Sequence, residues 1–304
     1  MTMKSWLFRI LVTVVYTMLH TGTLFASTAV SHTKYSSLIT QYDHAPTHKI
    51  LRVAAKLASA GEREEAIVLY TLAGDRFSKD KPEKEKQLCI FAHAEAGSLY
   101  IDAANYIKAL DVSVEGVKQS EQCKERLYDS RLYNIIGNIY SYFLDYEKAI
   151  NYYRKAYAYC KEYPDKKQEY KILTNLTNLY IYKSNIGKAI KYYKETERVR
   201  DRKDPLSTFM SSYMKGLLEM KQGKYGQQVE RYKRLVEYSK EKQLEPKFTC
   251  FAYQELYLAY NGIGEMDSVA KYLHVCYEMA KDNQVLFHFI ETIRSLADWY
   301  EGKG

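Results

Sequence analysis

The side chains best suited to chemistry in this chain are seven histidines and five cysteines. His32, His44 and His48 lie close together near the N-terminus, and imidazoles that share one helix face are common zinc ligands. Pro46 stands between His44 and His48 and breaks the helix that would align them, so no metal site is expected. Cys89, Cys123, Cys160, Cys250 and Cys276 form no Cys-x-x-Cys pair and no ligand spacing, and their number is odd. In an oxidising compartment Cys123 with Cys160 is the least implausible pair, whereas Cys276 reads as a small buried apolar residue. His274 and His288 stand alone and read as ordinary structural or surface residues. The chain has no His-Glu-x-x-His, no Gly-x-Ser-x-Gly, no phosphate-cradling glycine loop and no EF-hand loop. It is therefore read as non-enzymatic and without a cofactor.

With catalysis set aside, the chemistry left is recognition, and the elements that would position it follow one pattern. In Leu132 to Tyr157, LYNIIGNIYSYFLDYEKAINYYRKAY, the residues Tyr133, Ile136, Gly137 and Tyr140 fall at the spacing of one helix's buried face. Ala149, Tyr153 and Ala156 fall at that of a second helix packed against it. With the small residue of the first helix set at position 8, the pattern restarts at Thr47, Ile90, Ser130, Tyr170, Phe209, Cys250 and Ile290, in steps of 43, 40, 40, 39, 41 and 40 residues. Position 20, where crowding demands a small side chain, reads Ala66, Ala109, Ala149, Ala189, Gln228 and Val269. Position 24 reads Tyr70, Ser113, Tyr153, Tyr193, Tyr232 and Leu273, and position 11 reads Leu57, Tyr100, Tyr140, Tyr180, Glu219, Tyr260 and Tyr300. The fifth and sixth units depart most, at Gln228, Glu219 and Tyr257.

This pattern resembles the tetratricopeptide repeat in a long form of about 40 residues, and in particular the exported repeat region of Bacteroidetes-like membrane-anchored regulators. The resemblance implies an all-α fold, an α-α superhelix of six helix-hairpin repeats plus one unpaired C-terminal helix. It also implies a concave wall, lined by first-helix positions 2, 5, 9, 12 and 13, that holds an extended peptide or a partner's helix. In the third repeat these positions are Arg131, Asn134, Asn138, Ser141 and Tyr142; in the fourth they are Lys171, Thr174, Asn178, Ile181 and Tyr182. In the fifth they are Met210, Tyr213, Leu217, Met220 and Lys221. Asn138 and Asn178 each offer an amide donor and acceptor to a peptide backbone, Arg131 and Lys171 a cation to a carboxylate, and Tyr142, Tyr182 and Tyr213 a ring to pack on. Family members that clamp a free C-terminus need cations where this chain has Asn134, Met210 and Met214. Although Asn138 and Asn175 match that arrangement, an internal or more apolar peptide is expected.

Taken in order, Met1 to Ala29 carries Lys4 and Arg9, an uncharged run from Ile10 to Leu19 and a small-residue segment around Ala26, which is read as a secretory signal peptide. Residues 30–46 are a thin segment in which Tyr35, Leu38, Ile39 and Tyr42 allow a short capping helix. Residues 47–304 are the repeat array. All five prolines fall between one second helix and the next first helix, an independent check on the register. Asn175-Leu176-Thr177 fits a glycosylation triplet, but Thr177 occupies the close-packed position 8. Phe289, Ile293, Leu296 and Tyr300 form a last helical stripe, after which the sequence ends without a second helix; an uncovered apolar face is an aggregation hazard, so a continuation is expected.

The formal charge is +8, but the basic residues are interspersed with acidic ones and no basic block forms. With an exported location, this excludes nucleic acid as the natural ligand. The function expected is a non-catalytic scaffold of the periplasm or cell envelope that binds a protein or peptide. The alternative is the periplasmic sensor region of a membrane-anchored transcriptional regulator or kinase. In either case the membrane is met only through the signal segment or a downstream helix.

Overall fold

The computed structural model describes residues 35–283 and 292–296. The expected signal segment, residue His32, Phe289, Ala297 and Tyr300 lie outside the described residues. Thirteen helices follow one another: α1 (Ser36–Tyr42), α2 (Thr47–Ser59), α3 (Arg63–Gly74), α4 (Glu83–Asp102), α5 (Tyr106–Ser120), α6 (Asp129–Tyr142), α7 (Tyr146–Glu162), α8 (Lys166–Tyr182), α9 (Ile186–Val199), α10 (Pro205–Met220), α11 (Gly226–Glu241), α12 (Pro246–Ile263) and α13 (Met266–Asp282). Residues 292–296 are also helical, and no strand occurs among the described residues. From α2 onward the helices alternate as first and second members of the six expected pairs. The chain divides into two compact units, residues 1–139 and 140–304, with the division inside α6.

In the first unit, Ile50, Leu51 and Ala54 of α2 meet Ala66, Leu69, Tyr70 and Ala73 of α3 and Ala92 and Ala96 of α4, with Leu38 and Tyr42 of the short α1 packed against the cluster. A second cluster joins Ile90 and Ala94 of α4, Ala109 of α5, and Leu132, Ile135 and Ile139 of α6. In the second unit the same logic repeats with larger rings: Tyr153, Tyr180, Phe209, Tyr213, Tyr232, Tyr253 and Tyr257 are all buried. Every position-20 residue is buried, from Ala66 to Val269. Thr177 is fully buried and donates to the Leu173 carbonyl at 2.8 Å.

The turn inside each pair is built the same way six times. Position 15 takes a left-handed backbone at Gly61, Ala104, Leu144, Ser184, Gly223 and Gly264, with φ of 86°, 55°, 60°, 55°, 80° and 80°. The next residue caps the second helix where its side chain allows. Asn105, Asp145 and Asn185 accept from the backbone N–H of Lys108, Lys148 and Lys188, each at 3.2 Å, which satisfies a donor that the helix start leaves open. The same lysines lie over the rings of Tyr100, Tyr140 and Tyr180, at 5.9, 5.1 and 5.3 Å from the centroids.

Three position-11 tyrosines are held by stacking on position 23 of the partner helix. Tyr140 stacks on Tyr152, Tyr180 on Tyr192 and Tyr260 on Tyr272, with centroids 5.3, 5.4 and 5.3 Å apart and planes within 3°, 4° and 7°. The fifth pair has Glu219 and Arg231 at these positions, and they form an ion pair of 2.9 Å instead. The other departure, Gln228, completes it: its amide donates to Glu219 at 2.8 Å and its oxygen accepts from Arg231 Nε at 2.7 Å. What looked like degeneration of the motif is a substituted polar triad. Arg231→Ala is expected to cost about 1–3 kcal/mol, because it leaves the buried Gln228 oxygen without its donor and the Glu219 carboxylate without its counter-charge. Urea denaturation measures this, and a variant within about 0.5 kcal/mol of the parent would show that water replaces the lost bonds at no cost.

Candidate functional site

The recognition residues expected from sequence fall into two separate groups, one per unit. In the second unit, α8 begins at an Asp165 cap that accepts from the N–H groups of Lys167 and Gln168. It is fixed by buried Ile172, Leu173, Leu176, Leu179, Tyr180 and Ile181. Its other face carries Lys171, Thr174, Asn178 and Tyr182, at spacings of three, four and four residues that place them in one stripe. Lys171 is exposed, Tyr182 is 57% exposed, Asn178 is half-buried and Thr174 is buried. The Asn178 Oδ1 atom is sealed from solvent with no hydrogen-bond partner among the described residues. The Thr174 hydroxyl makes no hydrogen bond of normal geometry although the Tyr170 phenol is close by. Tyr142, at the end of α6 and in the same unit, is 46% exposed, and its neighbours Phe143 and Leu144 are also exposed.

The fifth repeat departs from expectation. Tyr213 is 4% exposed, and Leu217 and Met220 are buried with it. The cause lies one repeat further on: the Tyr213 hydroxyl donates to Glu255 Oε1 at 3.2 Å, and its ring packs on Phe209, Phe251 and Tyr232. Burial drives the Tyr213 phenol well above its ordinary range, with the Glu255 charge adding to the effect. An accessible Tyr213 is therefore corrected to a core tyrosine. Ile181, 1% exposed, is corrected in the same way.

In the first unit, Asn134 is 6% exposed and Asn138 is half-buried. Arg131 is already engaged: it pairs with Glu95 and lies over the Phe91 ring at 5.4 Å. Glu95 and Phe91, on the preceding first helix, had no place in the sequence reading. The signal for them was present, since position 2 of one repeat can meet positions 2 and 6 of the repeat before. Lys171 is exposed, whereas Arg131 is half-buried.

All five cysteines are free thiols; Cys89, Cys160, Cys250 and Cys276 are buried. Desolvation raises the Cys89 and Cys250 thiols to about 11, far from the range of a reactive thiolate. His44 and His48 are both exposed. One histidine passed over in the sequence, His93 on α4, is almost completely buried.

Residues 128–202 match the family model described as tetratricopeptide repeat. No curated protein matches the sequence. Among solved structures, the chain is similar to a Rap protein complexed with competence and sporulation factor, at 11% identity and a TM-score of 0.58, covering 90% of this chain and 87% of that one. It is also similar to the Rap conjugation gene regulator of the plasmid pLS20 in complex with the Phr* peptide, at 16% identity and 0.58, covering 90% and 72%. A third is a signal transduction ATPase with a tetratricopeptide repeat sensor from Pyrococcus horikoshii, at 17% identity and 0.59; the match covers 85% of this chain but only 37% of that one. Identities this low speak to the fold alone. With the matched repeats, the recurring hairpin turn and these neighbours in hand, residues 128–202 are assigned to the tetratricopeptide repeat, and the chain has the helical-repeat fold of these neighbours.

Proposed function

We propose that this chain is a non-catalytic scaffold of the cell envelope that binds a polypeptide along the open stripe of α8. The observation that carries the reading is the Asn178 amide, whose oxygen has no hydrogen-bond partner among the described residues and which sits between exposed Lys171 and exposed Tyr182 on one face. A buried acceptor left unpaired costs about 1–3 kcal/mol, and the last torsion of an asparagine is soft enough to present either its oxygen or its nitrogen to a peptide backbone. Tyr182 and Tyr142 supply rings for a ligand's apolar side chains, and Lys171 supplies a cation for an acidic one. Two of the similar structures are complexes of Rap proteins, one with the Phr* peptide, which is in keeping with a peptide ligand here. The signal-like N-terminal segment supports an exported site of action.

The test is capture of the native ligand from an envelope extract by the purified chain, compared with an Asn178→Ala/Tyr182→Ala variant. The variant is expected to lose about tenfold or more in retention, with a melting temperature within a few degrees of the parent because Tyr182 is exposed. Equal retention by both proteins would remove the α8 stripe as the binding face. Lys171→Glu tests the contribution of the cation, whereas reversing Arg131 would also set two acidic groups together at Glu95.

A further inference from the structure

A second candidate site lies in the first unit. A cavity of about 520 Å³ opens beside α5 and is lined by Asp75, His93, Leu110, Asp111, Val112, Val114, Glu115 and Lys118. This is within the ~300–1,000 Å³ range of small-ligand pockets. Its inner wall is the imidazole of His93, 1% exposed, with neither ring nitrogen in a hydrogen bond of normal geometry even though the Gly74 carbonyl is near. Buried imidazoles almost always find partners, so an unpartnered one facing a cavity asks for a ligand.

The ring is there because α3 ends on a glycine. A Cβ at Gly74 would lie 2.6–2.8 Å from three atoms of the His93 ring, and one at Gly116 would lie 3.1 Å from the His93 Cβ and 2.9 Å from Leu132. Two glycines on two different helices thus leave the space that the imidazole fills.

The charges around the cavity are lopsided. Three carboxylates, Asp75, Asp111 and Glu115, face one ammonium, Lys118, whose pairing with Glu115 is long at 3.7 Å. No cation is paired with Asp75 or Asp111 among the described residues. Burial holds the His93 imidazole below its ordinary range despite the nearby Asp75 and Glu115 charges, so at neutral pH it presents an acceptor and not a cation. Burial, reinforced by Glu115 and opposed by His93, raises the Asp75 carboxyl, the direction expected of a carboxylate short of cations. No group of three metal-ligating side chains exists among the described residues. The fitting occupant is therefore an organic cation, and Leu110, Val112 and Val114 supply an apolar flank for its carbon stem.

We propose that this cavity binds a primary ammonium group on an alkyl stem, supplied either by a lysine side chain of a polypeptide or by a free alkyl diamine. The ammonium donates to the Asp75 and Glu115 carboxylates and to a ring nitrogen of His93, and displaces Lys118 from Glu115. The proposal is independent of the peptide-binding stripe on α8, and neither stands or falls with the other.

The experiment follows the His93 ring by NMR in the full chain at pH 7.5, titrated with n-butylammonium, n-butanol, 1,5-diaminopentane and N-acetyl-lysine N-methylamide. A saturable shift with the ammonium probes and none with n-butanol is expected. Asp75→Asn/Glu115→Gln should weaken binding by about tenfold per carboxylate removed. Lys118→Ala should tighten it, an effect in the direction that a misfolded variant cannot produce. Tighter binding of the lysine derivative assigns the site to a polypeptide, and tighter binding of the diamine assigns it to a free amine. No saturable shift with any ammonium, an equal shift with n-butanol, or unchanged affinity in the double carboxylate variant would overturn the proposal.

Discussion

Glu255→Gln is expected to stabilise the protein above about pH 7 and, near pH 4.5, to leave it unchanged or less stable by up to about 1–2 kcal/mol. Glu255 lies on α12 with 6% of its surface exposed. Desolvation raises its carboxyl from 4.5 to about 7, against smaller opposing effects of the Tyr213 hydrogen bond and the Lys221 charge. The folded chain therefore holds a proton through a pH window in which the unfolded chain has released it. Stability must fall as pH rises from about 4.5 through about 7 and then level off, by roughly 3 kcal/mol in all. Glutamine has no proton to lose, and its oxygen can still accept from Tyr213. Its amide adds donors in a buried place, which costs up to about 1–2 kcal/mol, so a net gain of about 1–3 kcal/mol remains at pH 8. Urea melts of both proteins from pH 4.5 to 8.5 test the sign directly. Every other titrating group is common to the two proteins, so only the difference between their curves matters. Parallel curves would mean that Glu255 is ionised in the folded protein across the whole range.

The same carboxylate shows where sequence reading ran out. The repeat steps, the small residues at position 20 and the placement of prolines were legible because each follows from one local constraint, either helix-helix crowding or the missing amide of proline. In the structure Pro46 and Pro82 directly precede α2 and α4, and Pro205 and Pro246 are the first residues of α10 and α12. Pairings between repeats were not legible, because nothing in the motif says that position 5 of the fifth repeat meets position 6 of the sixth. Tyr213 was thus assigned to an open wall, while Glu255, 42 residues on, decides its place.

The departures at Glu219 and Gln228 lowered the apparent quality of the fifth repeat for the same reason. Read one position at a time, they are wrong residue types; read together with Arg231, they replace one cross-helix contact with another. The left-handed turn position was half visible, since glycine marks it only at Gly61, Gly223 and Gly264, and Ala104, Leu144 and Ser184 adopt the same backbone without that mark. Residue spacing along one helix was enough to predict that Lys171, Thr174, Asn178 and Tyr182 share one face of α8. It could not reveal that Arg131 is already bound to Glu95, or that His93 faces a cavity, because both depend on a neighbouring helix.

Gly216→Val is expected to be among the most damaging single substitutions in the second unit. Gly216 holds position 8 of α10, and a Cβ there would lie 2.5 Å from Tyr232 Oη, 2.8 Å from Tyr232 Cζ and 3.0 Å from Arg231 Cδ. Tyr232 is fully buried, so its ring has no open space to turn into, and α10 or α11 must shift instead. Overpacking of this kind costs about 1–3 kcal/mol or more, and the upper end is expected because the displaced group is an aromatic ring at the centre of a helix pair. Helix propensity works the other way, favouring a side chain over glycine by about 0.5–1 kcal/mol, so the clash must exceed that gain to be seen. Gly187, a helical glycine where a Cβ would meet nothing within 4 Å, is the control: Gly187→Ala should be as stable as the parent or more stable by up to about 1 kcal/mol.

The cause can be separated from a general intolerance by pairing Gly216→Ala with Tyr232→Leu. The sixth repeat carries the reverse arrangement, Tyr257 at position 8 and Leu273 at position 24, both buried, so the fold accommodates a larger residue on the first helix when the second helix carries a leucine. The double variant should be more stable than the sum of the single effects by about 1 kcal/mol or more, a coupling characteristic of side chains in contact. Additive effects in a denaturant double-mutant cycle would show that Tyr232 is not what excludes a side chain at Gly216.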